Sequence, residues 1–314
     1  MHAPIGTDPY VAARLLAEGR LVGLPTETVY GLGANALDEV AVSGIFTAKN
    51  RPKFDPLILH QSSAERILAY ASEVPDAAAR LAAACWPGPL TLVLPRHPSV
   101  PDLVTAGLPT VALRVPDHPL TQAVLKELPF PVAAPSANPF GFVSPVRADH
   151  VAEQLGDRVA YILDGGPCRV GVESTIVRVA ADGQVTVLRK GGTAVETIES
   201  IVDGPVEIRT HGSSRPEAPG MLSRHYSPGL PLRLTERAEE TGTAECAVIR
   251  FGRPAEGPHT FTLSESGDLE EAARRLFTLL RVVAAGGYRE AVAERVPETG
   301  LGLAINDRLR RAAQ

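Results

Sequence analysis

The feature that most restricts the fold of this chain is a succession of short aliphatic runs, each cut off by proline, glycine or small polar residues. Runs at 21–24, 56–60, 90–94, 110–115, 132–134 and 161–163 have the length of strands and turn-forming residues at their ends. Stretches with helical signals lie between them, at 7–18, 38–47, 75–85, 119–128 and 149–155. Thr7-Asp8-Pro9 offers a capping oxygen and a proline at the first helical position, and Gly19 offers a stop. Runs 175–179 and 184–188 read as a hairpin across Asp182-Gly183, a pair that accepts positive φ, and a helix follows over 195–202. Strands and helices that intermix through short connections predict an α/β domain with a twisted mixed sheet.

Residues 205–230 break this pattern. Pro, Gly, Ser and Arg dominate and periodicity is lost, as in a linker. Yet 219–228 reads PGMLSRHYSP, and a plain spacer has no use for Met, Arg, His and Tyr together. Beyond it, strands are expected at 232–235 and 247–251. Asp268 with Glu271 forms a capping box for a helix to about 285, and a last helix covers 307–312. A chain of 314 residues exceeds what one core usually serves. The expected organisation is therefore a larger α/β domain over 1–204, a linker over 205–230, and a smaller α/β, Rossmann-like domain over 231–314.

Composition excludes several classes. A hydrophobic content of 44% rules out a disordered chain, and only 5% aromatic residues leaves Leu, Val, Ile and Ala to build the core. No apolar run reaches membrane-spanning length, and the first residues lack a signal-peptide layout, so a cytoplasmic enzyme with no membrane partner is expected. Cys85, Cys168 and Cys246 are odd in number and far apart, which speaks for reduced thiols. Net charge is −5, and the first 205 residues hold more acid than base. That is not the footprint of a protein living on nucleic-acid phosphates, but a local basic cavity in an acidic shell suits a small anion.

The candidate chemistry sits in polar motifs between the regular elements. Thr26, Thr28 and Tyr30 alternate; an extended segment would turn their three hydroxyls to one side, whereas a turn would use the threonines on its own backbone. Lys49 and Arg51 are two apart and Pro52 disfavours helix at Arg51, so an extended loop would project both cations toward a di- or triphosphate. A solvated pair at a helix end is the alternative. Arg114 interrupts the apolar run 111–115 and needs a partner or a ligand carboxylate, unless it sits on an exposed edge strand. His60 ends another strand, a place where a lone histidine is more often a structural hydrogen-bonder than a catalyst. Ser136, Asn138, Ser144 and Ser174 follow or precede strands and could meet phosphate, ribose or base edges, or serve as ordinary loop residues. The sequence has no GxxxxGK[ST], GxSxG or HExxH, so no P-loop, nucleophile elbow or protein-held metal is expected; magnesium would arrive with a nucleotide.

In combination and in order, LPTETVYGLG, the Lys49/Arg51 and Ser136/Asn138 set, PLILH, WPGPLTLVL, ALRVP, APSAN, ESTIV and LRKG resemble the YrdC-like threonylcarbamoyl-AMP synthases. PGMLSRHYSP at 219–228 and GLGLAINDRLRRAA at 300–313 are similar to the family's longer, two-domain form. The resemblance implies synthesis of L-threonylcarbamoyladenylate from L-threonine, bicarbonate and ATP, with release of pyrophosphate. This is the first step of tRNA threonylcarbamoyladenosine modification, and a separate transferase machinery completes it. Carried onto this sequence, the resemblance implies that Thr28, His60, Arg114, Ala134 and Ser174 line the threonine site. Arg51, Asp55, Thr110, Ser136, Asn138, Ser144, Arg189 and Tyr226 would contact ATP. Lys49 and Arg51 would be catalytic, beside the phosphates. Asp55 stands out, because a carboxylate near phosphates repels them unless magnesium or Arg51 intervenes. The synthase itself could contact tRNA weakly; three other readings are a double-stranded RNA or tRNA binding module using the same cavity, another carbamoyl chemistry like that of the hydrogenase-maturation relatives, and a plain nucleotide hydrolase. Dependence of turnover on threonine separates the last from the synthase.

Overall fold

The computed structural model describes residues 3–209, 218 and 226–314. The first part of the chain carries strands β1 (Ile5–Gly6), β2 (Val22–Leu24), β3 (Gly31–Asn35), β4 (Ile58–His60), β5 (Leu90–Pro95) and β6 (Thr110–Arg114). It continues with β7 (Val132–Ala133), β8 (Tyr161–Leu163), β9 (Thr175–Val179), β10 (Val185–Arg189) and β11 (Glu207–Ile208). Its helices are α1 (Pro9–Ala17), α2 (Glu39–Lys49), α3 (Ala64–Leu68), α4 (Asp76–Cys85), α5 (Asp102–Thr105), α6 (Pro119–Glu127), α7 (Ala148–Leu155) and α8 (Val195–Val202). These strands form one mixed sheet in the order β1-β8-β2-β3-β7-β4-β6-β5-β9-β10-β11. The rest of the chain forms a parallel sheet from β12 (Leu232–Thr235), β13 (Cys246–Arg250), β14 (Thr260–Thr262) and β15 (Glu290–Glu294), in the order β12-β15-β13-β14. Helices α9 (Leu269–Ala285) and α10 (Leu301–Ala312) complete it. No helix among the described residues is long and apolar enough to cross a membrane.

Local sequence explains most of these elements. Asp8 caps α1 by accepting from Tyr10 N, with Pro9 at the first helical position, and the helix buries Ala12, Ala13 and Leu16. Asp38 caps α2, which ends on Asn50 in the left-handed conformation at φ 52°. Arg51 N bonds back to Phe46 O across that turn, so the chain changes direction between Lys49 and Arg51. The hairpin of β9 and β10 turns where Gly183 takes φ 84°.

The structure differs from the sequence reading in four places. The sequence predicts no strand at 31–33, yet these residues begin β3, which pairs antiparallel with β2, Leu24 opposite Gly31. A Cβ on Gly33 would sit 2.8 Å from Leu24 Cδ1 and 3.1 Å from Val132 Cγ1, so this glycine serves close packing inside a sheet. In the second sheet β14 and β15 add to the two expected strands. The last helix begins at Leu301 instead of 307, behind Gly300 as its N-terminal cap residue. The first sheet also extends past residue 204, because β11 pairs parallel with β10.

Candidate active site

The site lies over the middle of the large sheet, at a cavity lined by nine of the fourteen residues singled out from sequence: Thr28, Arg51, His60, Arg114, Ala134, Ser136, Ser174, Arg189 and Tyr226. Strand order sets the character of its walls. On the side of β2 and β7 the lining is apolar, with Leu24, Val132 and, from α6, Leu125. Toward β6, β9 and β10 it turns cationic and polar, with Arg114, Ser174 and Arg189. A pocket with one apolar end and fixed cations at the other fits a small amphiphile joined to an anion.

Arg114 is the hub. It is 4% exposed, at the end of β6 and opposite His60 of β4. Its Nη2 donates to Glu27 Oε1 at 2.6 Å and to Thr28 Oγ1 at 3.0 Å, while Nε donates to Gly88 O at 3.2 Å. The Gly88 turn has no room for a side chain, since a Cβ there would meet Cys85 O at 2.3 Å. Of the two readings left open for Arg114, the edge-strand one is therefore wrong: β6 lies inside the sheet and the guanidinium has a buried partner.

The 25–30 segment is a turn and not an extended run. Thr26 Oγ1 donates to Val29 O at 2.6 Å and accepts from Thr28 N at 3.1 Å, and the two threonine hydroxyls lie 2.8 Å apart. Both threonines still line the cavity. Tyr30 does not join them: its hydroxyl donates to Gly166 O at 2.8 Å and accepts from Gly165 N at 3.1 Å, away from the site.

Lys49 and Arg51 also separate. Because α2 runs through Lys49, its side chain points inward, and Nζ donates to Ser136 O at 2.5 Å and to Asn138 O. Burial, with Arg51 alongside, pushes this ammonium well below its ordinary value. Lys49 thus stands behind the cavity wall and grips the 136–138 loop, whereas Arg51 forms part of the lining. Arg51 Nη2 pairs with Asp55 Oδ2 at 2.9 Å and donates to Pro56 O at 2.8 Å. Asp55 is consequently Arg51's counter-ion, off the lining.

Three other sequence candidates are also off the lining. Asn138 Nδ2 donates to Pro139 O at 2.8 Å and Phe142 O at 2.9 Å, which fixes its loop. Ser144 Oγ donates to Glu173 Oε1 at 2.6 Å. Thr110 sits half-buried at the start of β6, the opposite end of that strand from Arg114. His60 lines the cavity, but burial, reinforced by Arg114, holds its imidazole down at about 3, so it is neutral at ordinary pH. Burial likewise lowers Arg189 to about 10, which leaves it charged; its Nη2 donates to Ser174 Oγ at 3.0 Å.

Two acids escaped the sequence reading as site residues. Glu27 is 1% exposed and, besides Arg114, accepts from Asp117 N at 3.0 Å. Glu173 lines the cavity; burial alone would raise its carboxyl, but Arg308, Arg189 and Ser144 hold it at about 2. A lone carboxylate amid small uncharged neighbours was a visible signal in both cases. Their partners, 87 and 135 residues away, were not. The linker meets the site as well. Ala218 is buried with Ile58, Val93, Ala112, Ile176 and Leu188, and Tyr226 lines the cavity at φ 66°. The rest of the 219–228 motif up to residue 225 lies outside the described residues.

Residues 14–191 match the family model described as "Telomere recombination", and residues 193–314 match "Threonylcarbamoyl-AMP synthase, C-terminal domain". The chain is similar to threonylcarbamoyl-AMP synthase of Pyrococcus abyssi, at 43% identity over 96% of this chain and 93% of that protein. It is 40% identical to the Bacillus subtilis protein of the same name, over 98% of this chain and 93% of that one. Among solved structures, P. abyssi Sua5 complexed with L-threonine superposes with a TM-score of 0.90 at 38% identity, covering 99% of this chain and 97% of that one.

Proposed function

Because this chain belongs to the threonylcarbamoyl-AMP synthase family, we infer that it makes L-threonylcarbamoyladenylate from L-threonine, bicarbonate and ATP and releases pyrophosphate. The observation that carries the reading is the graded cavity, apolar at β2 and β7 and cationic at β6 and β10, where Arg114 and Arg189 stand. Arg114 and Thr28 take the threonine carboxylate and hydroxyl end, with Ala134 and the neutral His60 closing the wall around the side chain. The amine combines with bicarbonate and loses water to give a carbamate. A carbamate oxygen then attacks the α-phosphate of ATP, and pyrophosphate departs with the bridging electrons.

Arg51 and Arg189 face the phosphates, where fixed cations stabilise the charge that builds during in-line transfer. Ser136 and Ser174 offer hydroxyls on the same side. Magnesium enters bound to the phosphates of ATP. Lys49, Asn138, Asp55 and Ser144 act through the groups they hold: the 136–138 loop, Arg51 and Glu173. Positioning of this kind accounts for large rate effects without direct contact. We read Ala218 and Tyr226 as the points where the 205–230 linker meets the cavity, between a catalytic domain and the smaller one after residue 230; residues 210–217 and 219–225 of that linker lie outside the described residues. The product would pass to a transferase that modifies tRNA in the cytoplasm.

The test is pyrophosphate release from magnesium-ATP with threonine and bicarbonate omitted in turn. Release that needs both, and that is lost in folded Lys49→Ala and Arg51→Ala variants, is expected. Release indifferent to threonine would make the chain a nucleotide hydrolase instead.

A further inference from the structure

The second sheet's domain reaches residues of the cavity wall from α9 and α10, and its buried cation there is Arg308. Arg308, on α10, is 0% exposed. Its Nε and Nη2 each lie 3.0 Å from Glu173 Oε2, and Nη1 donates to Lys190 O at 2.6 Å. Its guanidinium carbon lies 5.4 Å from the centroid of the Tyr226 ring, which also stacks on Phe277 of α9 at 5.5 Å. Glu173 and Tyr226 both line the cavity, while Arg308 itself stays behind it. We propose that Arg308 is a positioning residue for the synthase reaction, holding the Glu173 carboxylate and the Tyr226 ring in place and so making the second domain a working part of the active site.

The inference rests on the synthase reading and on four physical points. A cation without water is costly to bury unless it is paired, and Arg308 has Glu173 on one side and Asp307 Oδ2, at 3.1 Å, on the other, its Nη2 lying at ion-pair distance from Glu173 without a hydrogen bond. Asp307 is held in turn by Arg311 at 3.1 Å, which anchors the arrangement within α10. Both Glu173 oxygens are occupied, Oε2 by Arg308 and Oε1 by Ser144 Oγ, so this carboxylate shapes the wall and is not free to serve as a base. Finally, Glu173 adjoins Ser174, whose carbonyl and hydroxyl both accept from Arg189, so a displaced Glu173 carries a phosphate-facing cation with it. A planar guanidinium can bond a carboxylate edge-on while its face meets a ring; an ammonium cannot do both.

The experiment compares the parent chain with R308M, R308K and the double variant E173Q/R308M. Two readouts are taken: the kcat and separate KM values of pyrophosphate release, and backbone hydrogen exchange in peptides covering 170–176 and 226–232. Arg308→Met should lower kcat by more than about tenfold, Arg308→Lys should recover only part, and the double variant should be no worse than R308M, since residues acting as a unit are not additive. Exchange should quicken in both peptides. A folded R308M with parental exchange in both peptides and parental kcat overturns the proposal. If the orphaned carboxylate keeps R308M from folding, the double variant decides: faster exchange at 226–232 supports the proposal and parental exchange overturns it. A parent that releases pyrophosphate without threonine defeats the synthase reading, and the exchange comparison still decides the placing of Tyr226 and Glu173.

Discussion

Arg114 Nη2 and Glu27 Oε1 meet at 2.6 Å in the interior, each side chain no more than 5% exposed, across 87 residues of sequence. The pair keeps the guanidinium aimed, with Thr28 and Gly88 fixing its plane. A carboxylate entering the cavity would therefore meet an arginine whose orientation is already set.

Removing one member of such a pair strands the other. Glu27→Gln should cost about 3–5 kcal/mol of unfolding free energy, the range for breaking a buried ion pair. It should also raise the KM for threonine more than that for ATP, because only Arg114 loses its counter-ion. Urea unfolding and steady-state kinetics check both; an unchanged KM for threonine would detach Arg114 from that substrate.

Lys49 holds the carbonyls of Ser136 and Asn138 from behind the cavity. Lys49→Ala frees that loop and deletes a buried donor, so kcat should fall by about 10²-fold, the size of effect that misplacing a site element produces. Lys49→Arg should not restore it, since a larger fork cannot fit where the ammonium is fully enclosed. Full activity in Lys49→Arg would show that charge alone suffices there.

His60 should not titrate in the folded protein between about pH 5 and 8. Burial and Arg114 take it from an ordinary 6.5 to about 3, so between those values the unfolded chain binds a proton that the folded chain refuses. Stability then falls as pH drops from about 6.5 toward about 3, and His60→Asn should flatten that fall. Ring proton shifts and denaturant midpoints at several pH values are the measurements. A His60 ring that titrates near neutrality would mean a wetter cavity.

Gly191 abuts the backbone that carries Glu173 and Ser174. A Cβ there would lie 2.3 Å from Glu173 O and 2.4 Å from Thr175 N, both main-chain atoms that cannot swing aside. Gly191→Ala should push the start of β9 out of register, lowering Tm by several degrees or more, about 1–3 kcal/mol of overpacking, with loss of pyrophosphate release. A parental Tm would mean that β9 yields without cost.

Local physics made much of this protein legible in one dimension. The aliphatic runs, the Asp8-Pro9 and Asp38 helix starts and the Asp182-Gly183 turn act over a few residues, so the α/β class and most elements followed from sequence. The motifs at strand ends likewise marked the cavity, because sheet strands deliver their termini to one region. Direction and partnership were another matter. Tyr30 turns away from Thr26 and Thr28, and Lys49 turns away from Arg51, because a threonine turn and one left-handed residue rotate the chain. Glu27 found Arg114, and Glu173 found Arg308, over separations at which sequence carries no distance information. A buried charge demands a partner whatever its place in the chain; only the packed tertiary structure decides which one it gets.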